Sequence, residues 1–303
     1  MANILIIGGS GFIGRHVVAR LARDGHAICV PVRSPQREGE LRLLPTVEVV
    51  PADVHDDAQL DKLVAGCDAV VNLVGILHSR SGHPYGPDFA RAHVELPRRI
   101  VDACHKAGVR RVVHVSALGA REDAPSEYLR SKAAAEAVLA AARSSVDATV
   151  LRPSVVFGPD DSFLNLFARL QALVPVVFLA CPDAKFQPVH VEDVAECIAH
   201  CLAHPETAHQ TYELGGPRVY TLRELVQFAG EASGHRRPVI GLPDGVAQMQ
   251  AGFMECLPVK LLSRDNLRSM QVPSTCDGPF PFGLHPHSLE ETAPAWLGGK
   301  GRR

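Results

Sequence analysis

The stretch Asn3-Ile4-Leu5-Ile6-Ile7-Gly8-Gly9-Ser10-Gly11-Phe12-Ile13-Gly14 decides how the rest of the chain is read. Asn3 to Ile7 is a short apolar run, glycines follow at once, and His16 to Leu21 begins an amphipathic helical pattern. The order is strand, glycine turn, helix. Gly8, Gly11 and Gly14 are spaced G-x-x-G-x-x-G. Gly8 permits a tight turn, Gly11 lets a pyrophosphate approach the backbone, and Gly14 lets the helix pack closely on the strand. The helix then presents unpaired N–H groups and a positive dipole end to the phosphates. An ordinary glycine-rich strand–helix turn is the alternative, and the placement after a strand argues against it.

Outward from this turn, strands and helices alternate. Further strands are expected at Ala27–Val32, Val47–Val50, Ala69–Val74, Val112–Ser116 and Ala148–Leu151, with helices at Asp57–Ala65, Phe89–Ala107 and Glu127–Arg143. Apolar strands joined by helical crossovers imply a parallel sheet covered on both faces. The fold class is therefore α/β, a Rossmann-type doubly wound parallel sheet with a smaller C-terminal α/β lobe. Residues 1–155 form the dinucleotide-binding part, and 156–303 form a substrate or partner lobe interleaved with it. In that lobe the pattern gives helices at Ser162–Leu173, Val191–Ala203 and Thr221–Ser233, and strands at Lys185–Val189 and Thr211–Leu214. Thr221 and Glu224 have capping-box spacing. Ala247–Leu262 is apolar and reads as lobe core, with a groove for an isoprenoid or a partner surface as the alternative.

Composition narrows the class. The 303 residues are 46% hydrophobic and 21% charged, with 31 basic and 33 acidic residues for a net charge of −2, which gives no electrostatic case for nucleic acid. The eight cysteines show no C-x-x-C pair and no zinc spacing, so reduced thiols in a reducing compartment, and no metal, are expected. The chain starts at once on a strand, with no signal peptide pattern, and no apolar run reaches spanning length. A cytoplasmic location is expected, with peripheral contact at the inner membrane left open.

Several positions carry candidate chemistry. At the tip of the second strand an acidic residue would favour NAD(H). Arg33 stands there instead, with Ser34 and Arg37 near it, and suits a 2′-phosphate, so NADP(H) is favoured over NAD(H). Asp53 and Val54 follow the third strand; Asp53 has two readings, adenine contact or turn residue. Leu73, Val74 and Gly75 close the fourth strand at the sheet edge where ligands bind. Tyr128 and Lys132 lie at i and i+4 on one helix face. An ammonium beside a phenol favours phenolate and lowers the tyrosine pKa, giving an acid/base for a carbinol or carbonyl oxygen. His78, Arg80 and His83 follow the fourth strand toward the substrate side. Gln187, His190, Arg218 and Arg264 are polar candidates from the second half.

Taken together, the glycine turn, Tyr128-Leu129-Arg130-Ser131-Lys132, Leu151-Arg152-Pro153-Ser154 through Gly158-Pro159, and His190-Val191-Glu192-Asp193-Val194-Ala195 resemble the extended and atypical short-chain dehydrogenase/reductases, the NAD-dependent epimerase/dehydratase-like branch. His114 to Ala120, Ser126 to Lys132 and Leu262 to Leu267 are similar to the group of the NADPH-binding accessory subunit of complex I and its bacterial relatives. The resemblance implies Tyr128 and Lys132 as catalytic residues with Ser116 assisting. It implies Ser10, Phe12 and Ile13 with the glycines at the cofactor, and Pro153 and Ser154 beside the nicotinamide. It implies three functions: an oxidoreductase acting on a small-molecule or quinone-like ligand, a non-catalytic NADPH-holding subunit in contact with a respiratory complex, or a nucleotide-sugar epimerase. Two positions depart from the family pattern. Ser116 is followed by Ala117 and Leu118 where the family usually carries its substrate-binding serine, and His93 replaces a mid-helix asparagine and reads as a packed helix histidine.

Overall fold

The computed structural model describes residues 1–34, 39–255 and 262–298. Arg37 lies outside them. Seven strands form one parallel sheet in the order β11-β6-β5-β4-β1-β2-β3. They are β1 (Asn3–Ile7), β2 (Ala27–Val32), β3 (Val47–Pro51), β4 (Ala69–Asn72), β5 (Arg111–Val115), β6 (Asp147–Pro153) and β11 (Thr211–Leu214). The order reverses between β1 and β4, so the ligand crevice of a doubly wound sheet opens at their carboxyl ends.

Alternation along the strands builds two apolar layers. Ile4, Ile6, Val71, Val113 and Leu151 meet helix α1 (Phe12–Arg23) and α7 (Val191–Ala203) on one face. Leu5, Ile7, Val70, Val112 and Val150 meet α2 (Asp57–Val64), α4 (Leu96–Ala107) and α5 (Glu127–Ala141) on the other. β11 and α7 come after residue 155 in the chain yet belong to this sheet and its helical cover.

The remaining elements make the smaller lobe. Three two-stranded pairs, β7 (Val156–Phe157) with β10 (Val189–His190), β8 (Val177–Leu179) with β13 (Val239–Gly241), and β9 (Lys185–Phe186) with β12 (Tyr220–Thr221), accompany α6 (Leu164–Leu173) and α8 (Leu222–Ala232). The capping box of Thr221 and Glu224 starts α8 as its spacing predicts. Helices α9 (Asp244–Glu255) and α10 (Arg264–Ser269) follow, then the short α11 (Leu289–Thr292) and α12 (Pro294–Leu297).

Three expectations need correction. The helix expected over Phe89–Ala107 is broken into a single turn α3 (Pro87–Phe89), a π-helical stretch Ala90–Glu95 and α4. Pro97, in the first turn of α4, donates no N–H and its ring crowds the carbonyl four residues back, which widens the register there. The strand expected at Lys185–Val189 is divided at Pro188 between two different partners, β12 and β7. In the stretch read as lobe core, Ala247 and Ala251 are buried, while Met249 and Phe253 are each 70% exposed. Alanines therefore seat α9, and its large apolar side chains face outward.

Candidate active site

The turn after β1 is set by close backbone approaches. Gly8 has φ +88°, and a Cβ there would lie 3.2 Å from the Leu73 carbonyl carbon. A Cβ on Gly14 would lie 2.3 Å from the Gly8 carbonyl oxygen, so only glycine lets α1 begin against its own turn. Gly11 caps α1 without a side-chain hydrogen bond, and the first turn of α1 holds no acidic residue. Its N–H groups are thus left for an external anion, which is the fit expected of a pyrophosphate cradle. Ser10 and Ile13 sit in the same turn and first helical turn, and the Phe12 ring packs over Gly158.

The rim of this crevice is built from three strand ends. Arg33 is exposed just beyond β2. Asp53 Oδ1 accepts the His55 N–H at 2.9 Å, and Asp53 Oδ2 lies 4.0 Å from Arg91, so the carboxylate serves a turn and leaves one oxygen at the surface. Val54 follows it, half-buried. Leu73 donates the last ladder bond to Ile7, and Val74 N–H is held by the Asn72 side chain at 3.2 Å. Gly75 lies against Lys132, since a Cβ added there would stand 3.5 Å from Nζ. Pro153 O accepts from Leu118 N–H. The Ser154 hydroxyl donates to Ser274 O at 2.7 Å and accepts from Gln187 N–H at 3.2 Å, so it joins the late segments together.

Tyr128 and Lys132 share the first two turns of α5 and face the sheet edge. Lys132 is 3% exposed and donates to Val115 O at 3.1 Å, a single acceptor for a group with three protons. Burial pulls its pKa down to about 8. Tyr128 is half-buried, ringed by Phe89 and His93 at 6.0 and 5.6 Å between centroids. The expected lowering of the Tyr128 pKa is not found: burial pushes it up to about 12. Desolvation dominates, and Tyr128 stands as a phenol and Lys132 as an ammonium at neutral pH.

The Ser116 hydroxyl is engaged within the protein. Its hydroxyl donates to Glu136 Oε1 at 2.5 Å, and Glu136 also pairs with Arg152 at 2.5 Å. The side chain thus belongs to the ion pair that joins α5 to β6.

His93 is packed and fully satisfied. Nε2 accepts Ile76 N–H at 3.0 Å, and Nδ1 meets Ser131 Oγ at 2.8 Å. Because Ser131 gives its own proton to Tyr128 O at 2.7 Å, His93 Nδ1 carries the proton. Burial lowers its pKa to about 2, so the ring stays neutral. His93 thereby links the loop after β4 to the helix carrying Tyr128.

The structure also supplies a residue that spacing could not reveal as part of the site. Asp265 on α10 accepts the backbone N–H groups of Glu127 and Tyr128 at 2.8 and 3.0 Å, capping α5 together with Ser126. In the sequence Asp265 stands only within the segment Leu262 to Leu267, and nothing there points across the chain to α5.

A cavity of about 290 Å³ opens at the start of α5, bordered by Leu77, His78, Phe89, Glu127, Arg264 and Arg268 among others. His78, Arg80 and Arg264 all border this cavity. Gln187, Arg218 and His190 do not: Gln187 binds Gly216 O and Cys276 N–H, Arg218 pairs with Glu290, and His190 caps α7. Cys104, Cys197 and Cys201 are buried, while Cys29, Cys67, Cys181 and Cys276 are half-buried, all as free thiols.

The same fold recurs in known proteins. MoeE5 in complex with UDP-glucose and NAD superposes with a TM-score of 0.68 at 23% identity, over 79% of this chain and 85% of that one. A mitochondrial NADH dehydrogenase (ubiquinone) 1 alpha subcomplex subunit 9 from Rattus norvegicus is 35% identical over 229 residues, 74% of this chain and 59% of the relative. The chain thus spans about three-fifths of that relative's length. A ceramide reductase from Caulobacter vibrioides is 33% identical over 244 residues, 80% of this chain and 74% of the relative. The family model of the NAD dependent epimerase/dehydratase family matches residues 4–215, from the first residues of β1 through the edge strand β11. With its glycine turn, its Tyr128–Lys132 helix and its seven-stranded sheet all inside that match, the chain belongs to the NAD dependent epimerase/dehydratase family.

Proposed function

We propose that the chain is an NADP(H)-dependent oxidoreductase of the atypical short-chain type that reduces a neutral carbonyl compound. The observation that carries this reading is the buried Lys132 ammonium, with one protein acceptor, on the helix face of Tyr128 and against Gly75. Gly8, Ser10, Gly11, Phe12, Ile13 and Gly14 hold the cofactor pyrophosphate, Arg33 the 2′-phosphate, and Asp53 and Val54 the adenine edge. Leu73, Val74, Gly75 and Lys132 line the path to the nicotinamide ribose, and Pro153 and Ser154 border the ring. The bound nicotinamide supplies the hydride. Tyr128, a phenol held up to about 12, donates its proton to the substrate oxygen, and the neighbouring ammonium stabilises the phenolate left behind.

The cavity is lined mostly by polar and charged residues, with Leu77 and Phe89 as its apolar part, and its charges are matched within the protein, which favours a substrate without net charge. Each arginine at its rim already meets a carboxylate: Arg80 with Asp88 at 3.3 Å, Arg264 with Glu255 at 2.8 Å, and Arg268 with Asp265 at 3.5 Å. A nucleoside diphosphate needs cations whose charge is not already matched, which disfavours a sugar-nucleotide epimerase. The similarity to a ceramide reductase supports the same class. Tyr128→Phe is expected to keep NADPH affinity within about twofold and lower turnover of quinone and long-chain ketone substrates by about 100-fold or more. Unchanged turnover would remove Tyr128 from the mechanism.

One observation favours a second reading, a cofactor-holding structural subunit that contacts a respiratory complex at the inner membrane. The Ser116 hydroxyl is committed to Glu136. In that case NADPH co-purifies and keeps its absorbance through prolonged incubation with either substrate class.

A further inference from the structure

His190, Asp193 and His287 lie apart from the Tyr128 site, where β10 enters α7. One donor atom from each of the three side chains lies within 4.8 Å of the other two. His190 and Asp193 are buried and fixed on the first turn of α7. The His190 ring is held by Phe157 and Trp296, at 5.2 and 6.0 Å between centroids. His287 arrives from the C-terminal segment ahead of α11. Its N–H and its Nδ1 both reach the Asp193 carboxylate, at 2.8 and 2.6 Å.

We propose that these three side chains form a zinc site that pins the C-terminal segment to α7. Two imidazoles and one carboxylate are a recurrent zinc donor set, with a water completing the tetrahedron. Donors around such an ion stand about 3.3 Å apart, given Zn–N and Zn–O distances of about 2.0–2.1 Å. Two of the ligands are already rigid. The third, His287, is 53% exposed at its side chain, so it turns without disturbing the core and leaves the fourth position open to solvent. The ion takes the place of the His287 Nδ1–Asp193 hydrogen bond, and the ring proton moves to Nε2 of the neutral imidazole. Its role follows from what the ligands join. α7 packs on α1 of the large sheet, whereas the segment after His287 carries Leu289, Trp296 and Leu297 into the core of the smaller lobe.

The single tryptophan of the chain makes the site directly observable. Adding Co²⁺ to the metal-stripped full chain should quench Trp296 fluorescence saturably at one equivalent. EDTA should reverse the quenching, and Zn²⁺ should compete for the site. His287→Ala and His287→Gln should each weaken Co²⁺ binding at least about tenfold. The stacked pair His200 and His204 at the far end of α7, 3.8 Å between centroids, is the natural competitor for added metal. A His200→Ala/His204→Ala double variant should therefore titrate like the wild type. The proposal is overturned if the wild type shows no saturable quenching. It is equally overturned if either His287 variant superimposes on the wild type, or if the double variant abolishes the quenching.

Discussion

Lys132 is the residue at which stability and chemistry oppose each other. Its folded-state pKa of about 8 lies below its ordinary value, so between pH 8 and about 10.5 the unfolded chain binds the extra proton. Stability therefore rises with pH across that window, and below pH 8 the full penalty of the buried charge is present. The shift corresponds to roughly 3 kcal/mol at most. Calorimetry of Lys132→Met without cofactor should show a higher Tm than the wild type at pH 7, and the gain should shrink toward pH 10. A lower Tm at pH 7 would mean that the ammonium is well solvated in the native state. Arg33 presents a simpler case. If Arg33 holds the 2′-phosphate as proposed, its removal should weaken NADPH by about tenfold or more and leave NADH within about twofold. A titration of Arg33→Ala with both cofactors reads this directly, and equal losses would refute the 2′-phosphate assignment.

At the scale of elements, α5 is organised from outside. Asp265 receives the first-turn N–H groups of Glu127 and Tyr128 from 138 and 137 residues away, and Arg268 lies within 4 Å of both Asp265 and Glu127. Loss of such a cap costs about 1 kcal/mol, but its larger effect is on where Tyr128 points. Asp265→Ala should lower kcat about tenfold while NADPH Kd stays within about twofold, and Asp265→Asn should recover part of the loss. If kcat is unchanged, Ser126 alone aligns the helix. This contact also shows what a sequence can and cannot reveal. The glycine turn, the Tyr128–Lys132 face, the α8 capping box and the limits of α7 are short-range signals, and each is legible. Asp265 over α5 is a long-range contact, as are β11 as seventh strand and the pairing of β8 with β13. None of these leaves a periodic trace. Pro97 was visible, but its effect in widening the helix at Ala90–Glu95 emerges only against the packing of His93 on Ile76 and Ser131.

Across the whole molecule, the sheet encloses uncharged histidines. Burial holds His93 to about 2 and His114 to about 3, both well below the usual 6.5. Nothing is lost above pH 6.5, where both states are neutral. Below it the unfolded chain takes up protons that the native chain refuses, so stability falls as pH drops toward 3. Two such groups give a slope approaching about 2.7 kcal/mol per pH unit. Urea midpoints should decline from pH 6.5 downward, and His114→Phe should roughly halve that slope. A variant slope equal to the wild type would mean that His114 protonates freely in the native state.

The cap that Asp265 places on α5 has a consequence in time. A ribosome releases the glycine turn before Tyr128, and the carboxylate that completes the cap of α5 follows 137 residues after Tyr128. A nascent chain that has just finished β6 holds the cofactor cradle and the Tyr128–Lys132 pair. It lacks the partner that sets the direction of α5. Nucleotide capture can thus precede alignment of Tyr128 by more than a hundred residues of growth.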